Sequence, residues 1–327
     1  MLDCAHQPHL FNRDYWFDLL WQHNSLGVQP IVARTWGDRC RAWLFLADTG
    51  NKRATGLANY YTLAFRPVFC GNPDERTKLS LVIASARRLR QRPIRLAEII
   101  FEPVPREDGS AELLVNAFRA AGWMVSRHPK TASWTANVEG KTFEQYWAER
   151  PGALTNTVAR KRKKAIIATE IHTRFDPAIW AEYESIYAES WKPTEGSITF
   201  LRALAEREGA EGALRLGIAR HDGEAIAAQL WTIEPDRALI HKLAYRPTFA
   251  QLSPGTILSV AMFKHVIDVD QVPLIDYGTG DEAYKADWMD RRATLDQIHC
   301  RNPAYARSWL AIARNYAAQL ARPDQHA

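Results

Sequence analysis

Two stretches of the 327-residue chain carry residue types at spacings that could do chemistry. The first is Tyr245-Arg246-Pro247-Thr248-Phe249-Ala250-Gln251-Leu252-Ser253-Pro254-Gly255-Thr256. Ser253 can cap a helix, and Pro254 suits the first helical position because its missing N–H costs nothing there. Gly255 and Thr256 then present free N–H groups, with no side chain on Gly255 to block a ligand. A helix start of this kind holds a phosphate or pyrophosphate through its N–H groups and its dipole. The plain alternative is a capped helix with nothing bound. The second stretch is Asp276-Tyr277-Gly278-Thr279-Gly280-Asp281-Glu282-Ala283-Tyr284-Lys285-Ala286-Asp287-Trp288, directly after the apolar Pro273-Leu274-Ile275. Asp276 and Asp281, beside glycines that let a substrate approach, suit capture and deprotonation of an amine; Tyr284 or Lys285 could protonate a leaving group or hold an anion. The competing reading is a polar loop in which Asp276 caps a turn and Lys285 pairs with Glu282 at the surface. His241, in the middle of an alternating segment, is either a general base or a hydrogen-bonded core histidine.

The elements that must position these residues follow from periodicity. Leu214–Arg220, Ala225–Ile233 and Arg237–Tyr245 alternate as strands. They are joined by His221-Asp222-Gly223-Glu224 and Glu234-Pro235-Asp236, both short turn sequences, so they form an antiparallel meander. A helix over Thr256–Val269 and a strand over Pro273–Tyr277 come next; a crossover of that kind makes the new strand parallel to the third meander strand. A strand near Thr294–Cys300 and a helix from Pro303 to about Leu320 close the chain. Ahead of the meander, Thr142 caps a short helix, Ala153–Ala168 forms a second, and Asp176-Pro177 opens a third bearing Trp180, Tyr183, Tyr187 and Trp191 at helical spacing. These aromatics could stack on a sugar, but their spacing equally describes one buried face. Further upstream, Thr77–Arg92 reads as a helix stopped by Pro93, Ile94–Phe101 as a strand, and Ser110 as the cap of a helix ending at Gly122. Short strands follow near Trp123–Arg127 and Ser133–Val138. The expectation is an α/β (α+β) protein of two domains, residues 1–135 and 136–327, with the chemistry in the second.

Composition excludes several classes. With 46% hydrophobic and 24% charged residues the chain is ordinary globular material rather than disordered or fibrous. No apolar run is long enough to span a membrane, and Met1-Leu2-Asp3-Cys4-Ala5-His6 lacks the basic-then-apolar pattern of a secretory signal. The four cysteines, Cys4, Cys40, Cys70 and Cys300, are scattered without CxxC spacing, which reads as thiol usage in a reducing, cytoplasmic setting. His172, His221 and His299 show no metal-ligand spacing and there is no HExxH, so no metal is expected. Arg76–Arg95 and Arg160–Lys164 are basic runs that could meet tRNA, a polyanionic glycan or phosphates. Neither interleaves regularly with aromatics and the net charge is only +5, so they read as solvated helix faces and nucleic acid is not the expected partner.

The meander, the helix opened by Ser253-Pro254-Gly255-Thr256 and the Asp-x-Gly-x-Gly-Asp-Glu-x-Tyr-Lys loop together resemble the BioF-like acetyltransferases of the GNAT superfamily, relatives of the Fem-type transferases. The resemblance covers roughly residues 153 to 290 and is strongest over Lys242–Trp288. It implies a splayed mixed sheet flanked by helices, and acetyl-CoA or another acyl-CoA lying between the third meander strand (Ala244, Tyr245) and the strand after the helix. The pyrophosphate would sit on Ser253, Gly255 and Thr256. The general GNAT phosphate loop is Gln/Arg-x-x-Gly-x-Gly/Ala; here Pro254 and Thr256 occupy the two small positions, as in the subfamily's own variant. The resemblance also implies a degenerate GNAT-like fold for the N-terminal domain. In the direct mechanism it implies, an amine attacks the thioester, a backbone N–H near Ala244 stabilises the oxyanion, and Asp276 or Asp281 takes the ammonium proton. Such proteins often accompany exopolysaccharide or cellulose synthesis, so an amino sugar or glycan precursor is the expected acceptor. The alternatives are a Fem-type aminoacyl-tRNA-dependent transferase, which usually carries a long helical hairpin not evident here, and a catalytically silent acyltransferase-like partner in polysaccharide synthesis. The oligomeric state is not readable from the sequence.

Overall fold

The structure, a computed structural model, describes residues 7–23, 28–190, 196–306 and 308–309. In chain order the first elements are α1 (Asp14–Gln22), β1 (Gln29–Trp36), β2 (Arg41–Gly50), β3 (Arg53–Gly56), β4 (Val68–Cys70), α2 (Glu75–Arg90), β5 (Glu98–Pro105) and α3 (Ser110–Ala120). Next come β6 (Met124–Asn137), α4 (Phe143–Ala148), α5 (Gly152–Lys164), β7 (Ala168–His172), α6 (Pro177–Glu189) and α7 (Ile198–Ala210). The chain continues with β8 (Leu214–His221), β9 (Glu224–Glu234), β10 (Arg237–Tyr245), α8 (Pro254–Asp268), β11 (Leu274–Thr279) and β12 (Arg291–Arg301). Turns of 3-10 helix cover Leu10–Asn12, Pro247–Leu252 and Ala283–Asp287. The chain divides into two compact units, one built on Phe11–Thr131 with the segment from Thr294 onward, the other on Ala132–Ala293 with Pro8–Leu10. The single break expected near residue 135 does not describe this, because β12 returns to the first unit. The expected helix beyond Pro303 lies almost wholly outside the described residues.

In the first unit, β1, β2 and β3 form an antiparallel meander with β4 on β2. The chain then passes through α2 to β5, which pairs parallel with β3, and β12 lies antiparallel on β5. α2 begins two residues earlier than the periodicity suggests because Asp74 caps it, its carboxylate accepting from the Thr77 N–H at 2.8 Å. α3 is entered differently from expectation. Gly109, at φ +80°, stands at the cap position, and the Ser110 N–H is met by Asp108 at 2.9 Å, so Ser110 is the first helical residue. The two short strands expected between residues 123 and 138 are one continuous strand, β6. Cys40 and Cys300 are free, but Cys70 is in a disulfide, which corrects the reading of the cysteines as uniformly thiol.

In the second unit, β7, β8, β9 and β10 run as an antiparallel meander. The expected tight turn between β8 and β9 has Asp222 and Gly223 at positive φ (49° and 83°), the geometry that suits a two-residue hairpin. α8 then crosses to β11, which pairs parallel with β10, and β6 lies antiparallel on the far side of β11. α8 is apolar nearly all round; Ile257, Leu258, Val260, Met262, Phe263, Val266 and Ile267 are all buried. Each such side chain contributes on the order of 1.5–3 kcal/mol, so the helix start is carried by a firmly anchored element. α4 is opened by a full capping box between Thr142 and Gln145. Asp176 caps α6 with Pro177 at its first turn, and Trp180, Tyr183 and Tyr187 are buried in stacked and tilted contact. The core reading of that aromatic face holds for these three; Trp191 lies outside the described residues. Both units are therefore mixed α/β, each with a mixed sheet flanked by helices. Among the described residues no helix is long and apolar enough to cross a membrane.

Candidate active site

The second unit's sheet opens in its middle. β10 and β11 pair at only two registers, Ala238 with Ile275 and Leu239 with Asp276. Beyond them β10 continues to Tyr245 paired only with β9, and β11 continues to Thr279 paired only with β6. A cavity of about 510 Å³ occupies the opening. Leu243 and Tyr245 of β10 form one wall and Tyr277 of β11 faces them, with Tyr284, Asp287 and Trp288 from the chain after β11. Ala153, Leu154 and Thr157 of α5 and the first turn of α8 complete the lining.

That first turn matches the sequence in outline and departs in one detail. Ser253 does precede the helix and Pro254 is its first residue, but Ser253 is left-handed (φ 54°) and its side chain makes no capping hydrogen bond. The turn is held from below. Gln229, buried on β9, donates to the Gly255 carbonyl at 3.0 Å and to Ser259 Oγ at 2.8 Å, and is itself held by Trp231 Nε1 at 3.0 Å. The Ile257 N–H returns to the Ser253 carbonyl, while the N–H groups of Gly255 and Thr256 have no acceptor among the described residues. Both residues line the cavity with Ser253. A Cβ on Gly255 would touch only Tyr245 Cδ1, at 3.4 Å, so the space above it belongs to the cavity. Lys161, from the Arg160–Lys164 run, donates to the Gln251 carbonyl just upstream.

The loop after β11 is arranged otherwise than expected. Asp276 accepts from Ser133 Oγ at 2.7 Å and from the Gly278 N–H at 2.9 Å, the local turn bond of the structural reading. Asp281 is exposed and tied to the Arg292 guanidinium at 2.7 and 2.8 Å and to Trp134 Nε1 at 3.2 Å. The Arg292 hydrogen bond holds its carboxyl below the usual range, which makes it a poorer base. Lys285 does not face a leaving group. It is buried, donating to the Thr279 carbonyl at 2.8 Å and pairing with Glu282 at 3.0 Å, so it fastens the loop from within rather than at the surface. None of these three lines the cavity. His241 does not either; its Nε2 lies 2.8 Å from Thr232 Oγ1, and burial first, then the neighbouring Lys242 charge, lowers its pKa to about 3. Its burial and its bond to Thr232 are those of the structural reading. Ala244 and Pro254 are buried beside lining residues without lining the cavity themselves.

Of the expected site residues, Tyr245, Ser253, Gly255, Thr256 and Tyr284 are brought together. Burial pushes the Tyr284 phenol up to about 12 and also raises that of Tyr277, so both are neutral at neutral pH. The sequence reading passed over Tyr277, Asp287, Trp288 and the α5 residues. The first three stood inside the quoted loop, but no spacing rule singles them out, and α5 was read only for its basic end. Among the described residues, His9, Glu234 and Asp236 place ligand-type atoms within 4.8 Å of one another. Arg237 bonds Asp236 at 2.8 Å and lies 3.5 Å from Glu234, so the group is an ion-pair network.

Residues 152–286 match the family model of the acetyltransferase (GNAT) domain, from the start of α5 into the loop after β11. The GNAT resemblance read from the sequence is thereby confirmed for this region, which holds α5, β10, α8 and β11 around the cavity. Among solved structures the chain is similar to FemX (11% identity, TM-score 0.63, covering 89% of this chain and 92% of that one). It is also similar to a conserved protein of unknown function from Bacteroides thetaiotaomicron (16% identity, TM-score 0.58, 89% and 92% covered). L-PGS from Bacillus licheniformis is a third (10% identity, TM-score 0.55, 88% of each chain covered). Identities this low speak for the fold alone. No curated protein matches the chain.

Proposed function

We propose that the protein is an acyl-CoA-dependent N-acyltransferase working in the opening between β10 and β11. The observation that carries this reading is a cavity lined both by the free N–H groups of a helix start and by aromatic side chains. The unpartnered N–H groups of Gly255 and Thr256 point from the start of a 15-residue helix, a preformed place for a pyrophosphate. Neutral phenols and Trp288 line the space where an acyl group and its acceptor would meet. Acetyl-CoA or a longer acyl-CoA would lie along the edge of β10 that β11 leaves unpaired, with a backbone N–H near Ala244 meeting the developing oxyanion. Tyr284, a neutral phenol facing the cavity, would protonate the departing thiolate. The acceptor would be a primary amine, in this reading an amino sugar or exopolysaccharide precursor, and the first unit a degenerate copy of the same fold. A cytoplasmic setting fits the donor and the free Cys40 and Cys300, although the Cys70 disulfide does not favour it.

A second reading, an aminoacyl-tRNA-dependent transferase of Fem type, draws on the fold shared with FemX and on Lys161, which brings a basic run beside the helix start. One experiment separates the two. Thermal unfolding with acetyl-, succinyl- and long-chain acyl-CoA should show a rise in Tm with at least one thioester, and thiol release should follow on adding amines. Gly255→Glu, which places a carboxylate where the phosphates would lie, should abolish that rise while leaving the unliganded Tm nearly unchanged. No stabilisation by any thioester, with stabilisation by charged tRNA, would move the donor to the second reading; no stabilisation by either would leave a silent fold.

A further inference from the structure

The chain from Asp276 to Trp288 holds four carboxylates, and three of them are engaged. Asp276 is held by Ser133 and the Gly278 N–H, Asp281 by Arg292, and Glu282 by Lys285. The fourth, Asp287, makes no hydrogen bond or ion pair through its side chain to any described residue. It is half-buried and lines the cavity beside Tyr277, Tyr284 and Trp288. Among the residues lining that cavity it is the one charged side chain. A half-buried carboxylate that lines a cavity and has no counter-ion among the described residues is free to pair with a cation that enters. A cation entering the cavity would find Asp287 as its charge partner. The cavity lining thus holds both free N–H groups, on the first turn of α8, and a single negative charge, on Asp287.

We propose that Asp287 is the carboxylate that binds the acceptor's primary ammonium group and takes its proton. This deepens the acyltransferase reading and rests on it for the reaction, though not for the binding. The step balances as follows. The ammonium gives one proton to the Asp287 carboxylate, and the freed lone pair forms a C–N bond to the thioester carbonyl. The tetrahedral intermediate collapses by breaking the C–S bond; the thiolate takes the Tyr284 phenolic proton, and the second nitrogen proton restores that phenol. The proton on Asp287 leaves to solvent, so the products are an amide, a thiol and one proton. The acceptor class that follows is a primary amine on a small carrier, because the cavity must also hold the acyl end of the donor.

The test pairs a binding measurement with turnover. Saturation-transfer NMR with ethanolamine, glucosamine and L-lysine, each against its N-acetyl form, reads whether a protonated amine is held. At least one free amine should give a signal on the wild type that is lost in Asp287→Asn and in Asp287→Ser, with Tm recorded for both. In acyl-CoA turnover, Asp287→Asn should lower kcat by about a hundredfold or more, the usual scale of acid–base catalysis, with the affinity for the thioester within about twofold. Amine binding and turnover that are both indifferent to Asp287 overturn the proposal and leave the acyltransferase reading standing. Asp287-dependent amine binding in a protein that consumes no thioester overturns the donor assignment and leaves the amine site. No Asp287-dependent signal from any of the three amines, in a protein whose turnover also ignores Asp287, rejects the site.

Discussion

His241 and Lys285 show how a residue type that suits chemistry is absorbed by structure. Burial lowers the His241 pKa to about 3, far below the ordinary 6.5. The unfolded chain takes up a proton as pH falls through 6.5 and the folded one does not until about 3, so stability is unaffected above 6.5 and lost between the two values. At pH 5 the loss is at most roughly 2 kcal/mol, an upper figure because the residue keeps some exposure. His241→Gln, which can keep a bond to Thr232, should flatten that part of the profile. Urea midpoints at pH 7 and pH 5 for the two proteins would show it, and turnover at pH 7 should stay within about threefold of wild type. A catalytic histidine would instead take most of the activity with it. Lys285 makes a different demand. Its ammonium fastens the loop by the Thr279 and Gly280 carbonyls (2.8 and 3.4 Å), and Gly280 itself, at φ +118°, leaves no room for a Cβ beside Glu282 and Lys285 Nζ. Lys285→Met strands those acceptors and should cost about 1–3 kcal/mol in chemical unfolding. A surface lysine would cost a few tenths. That Asp276, Asp281 and Lys285 belonged to one loop was legible in the sequence. The Lys285–Glu282 pair and the Asp276 turn were legible too, as the structural alternative; the Ser133 and Arg292 bonds of Asp276 and Asp281 were not, because those partners lie on other strands and no spacing announces them.

At the scale of elements, legibility followed locality. The meander, the capped start of α6, the Pro254 helix start and the parallel return of β11 were all written in short-range patterns: alternation, turn dipeptides, a proline after a cap residue. What escaped was tertiary. β6 reads as two strands because Pro129 and the polar His128-Pro129-Lys130 interrupt its alternation, yet it runs unbroken from Met124 to Asn137. The cavity's α5 wall escaped because Leu154 and Thr157 gain meaning only against β10. The support under the α8 start was equally invisible, since Gln229 sits in a strand that otherwise reads as plain core. Its amide bonds the Gly255 carbonyl and Ser259, and its own oxygen takes the Trp231 indole N–H. Gln229→Leu keeps the approximate volume and removes three hydrogen bonds, leaving the Trp231 indole N–H without its acceptor while Ser259 still donates to the Gly255 carbonyl. It should lower stability by about 1–3 kcal/mol. Because the helix start is then free to shift, acyl-CoA should also bind several-fold more weakly by calorimetry. Stability lost with unchanged thioester affinity would mean that the network supports the core and not the donor cradle.

At the scale of the whole chain, both units follow one plan: an antiparallel meander, a helix, a strand returning parallel to the meander's last strand, and an antiparallel strand beyond it. In the first unit these are β1–β2–β3, α2, β5 and β12; in the second they are β8–β9–β10, α8, β11 and β6. Packing is what distinguishes the two gaps where the parallel strands part. In the second unit the gap where the parallel strands part is the cavity. In the first, β3 and β5 part after three registers, Arg53 with Glu98 to Thr55 with Ile100, and the chain beyond β3 turns back into the gap. The Phe65 N–H bonds the Pro103 carbonyl at 2.7 Å, and its ring stacks on Phe101 with centroids 5.4 Å apart. A Cβ on Gly56 would strike that ring at 2.9 Å, so the glycine is there to admit it. Phe65 is buried and fills with its own side chain the gap that the second unit leaves open as the cavity, where the proposed donor would lie. Phe65→Ala should therefore cost about 3–5 kcal/mol, the scale of a large core deletion, and leave acyl-CoA affinity within about twofold. Gly255→Glu should do the reverse, abolishing thioester binding at nearly unchanged stability. Chemical unfolding and calorimetry on the two variants read both quantities in one protein. If instead Phe65→Ala weakened thioester binding as strongly as Gly255→Glu, the filled gap would belong to the donor site and the two units could not be assigned separate roles.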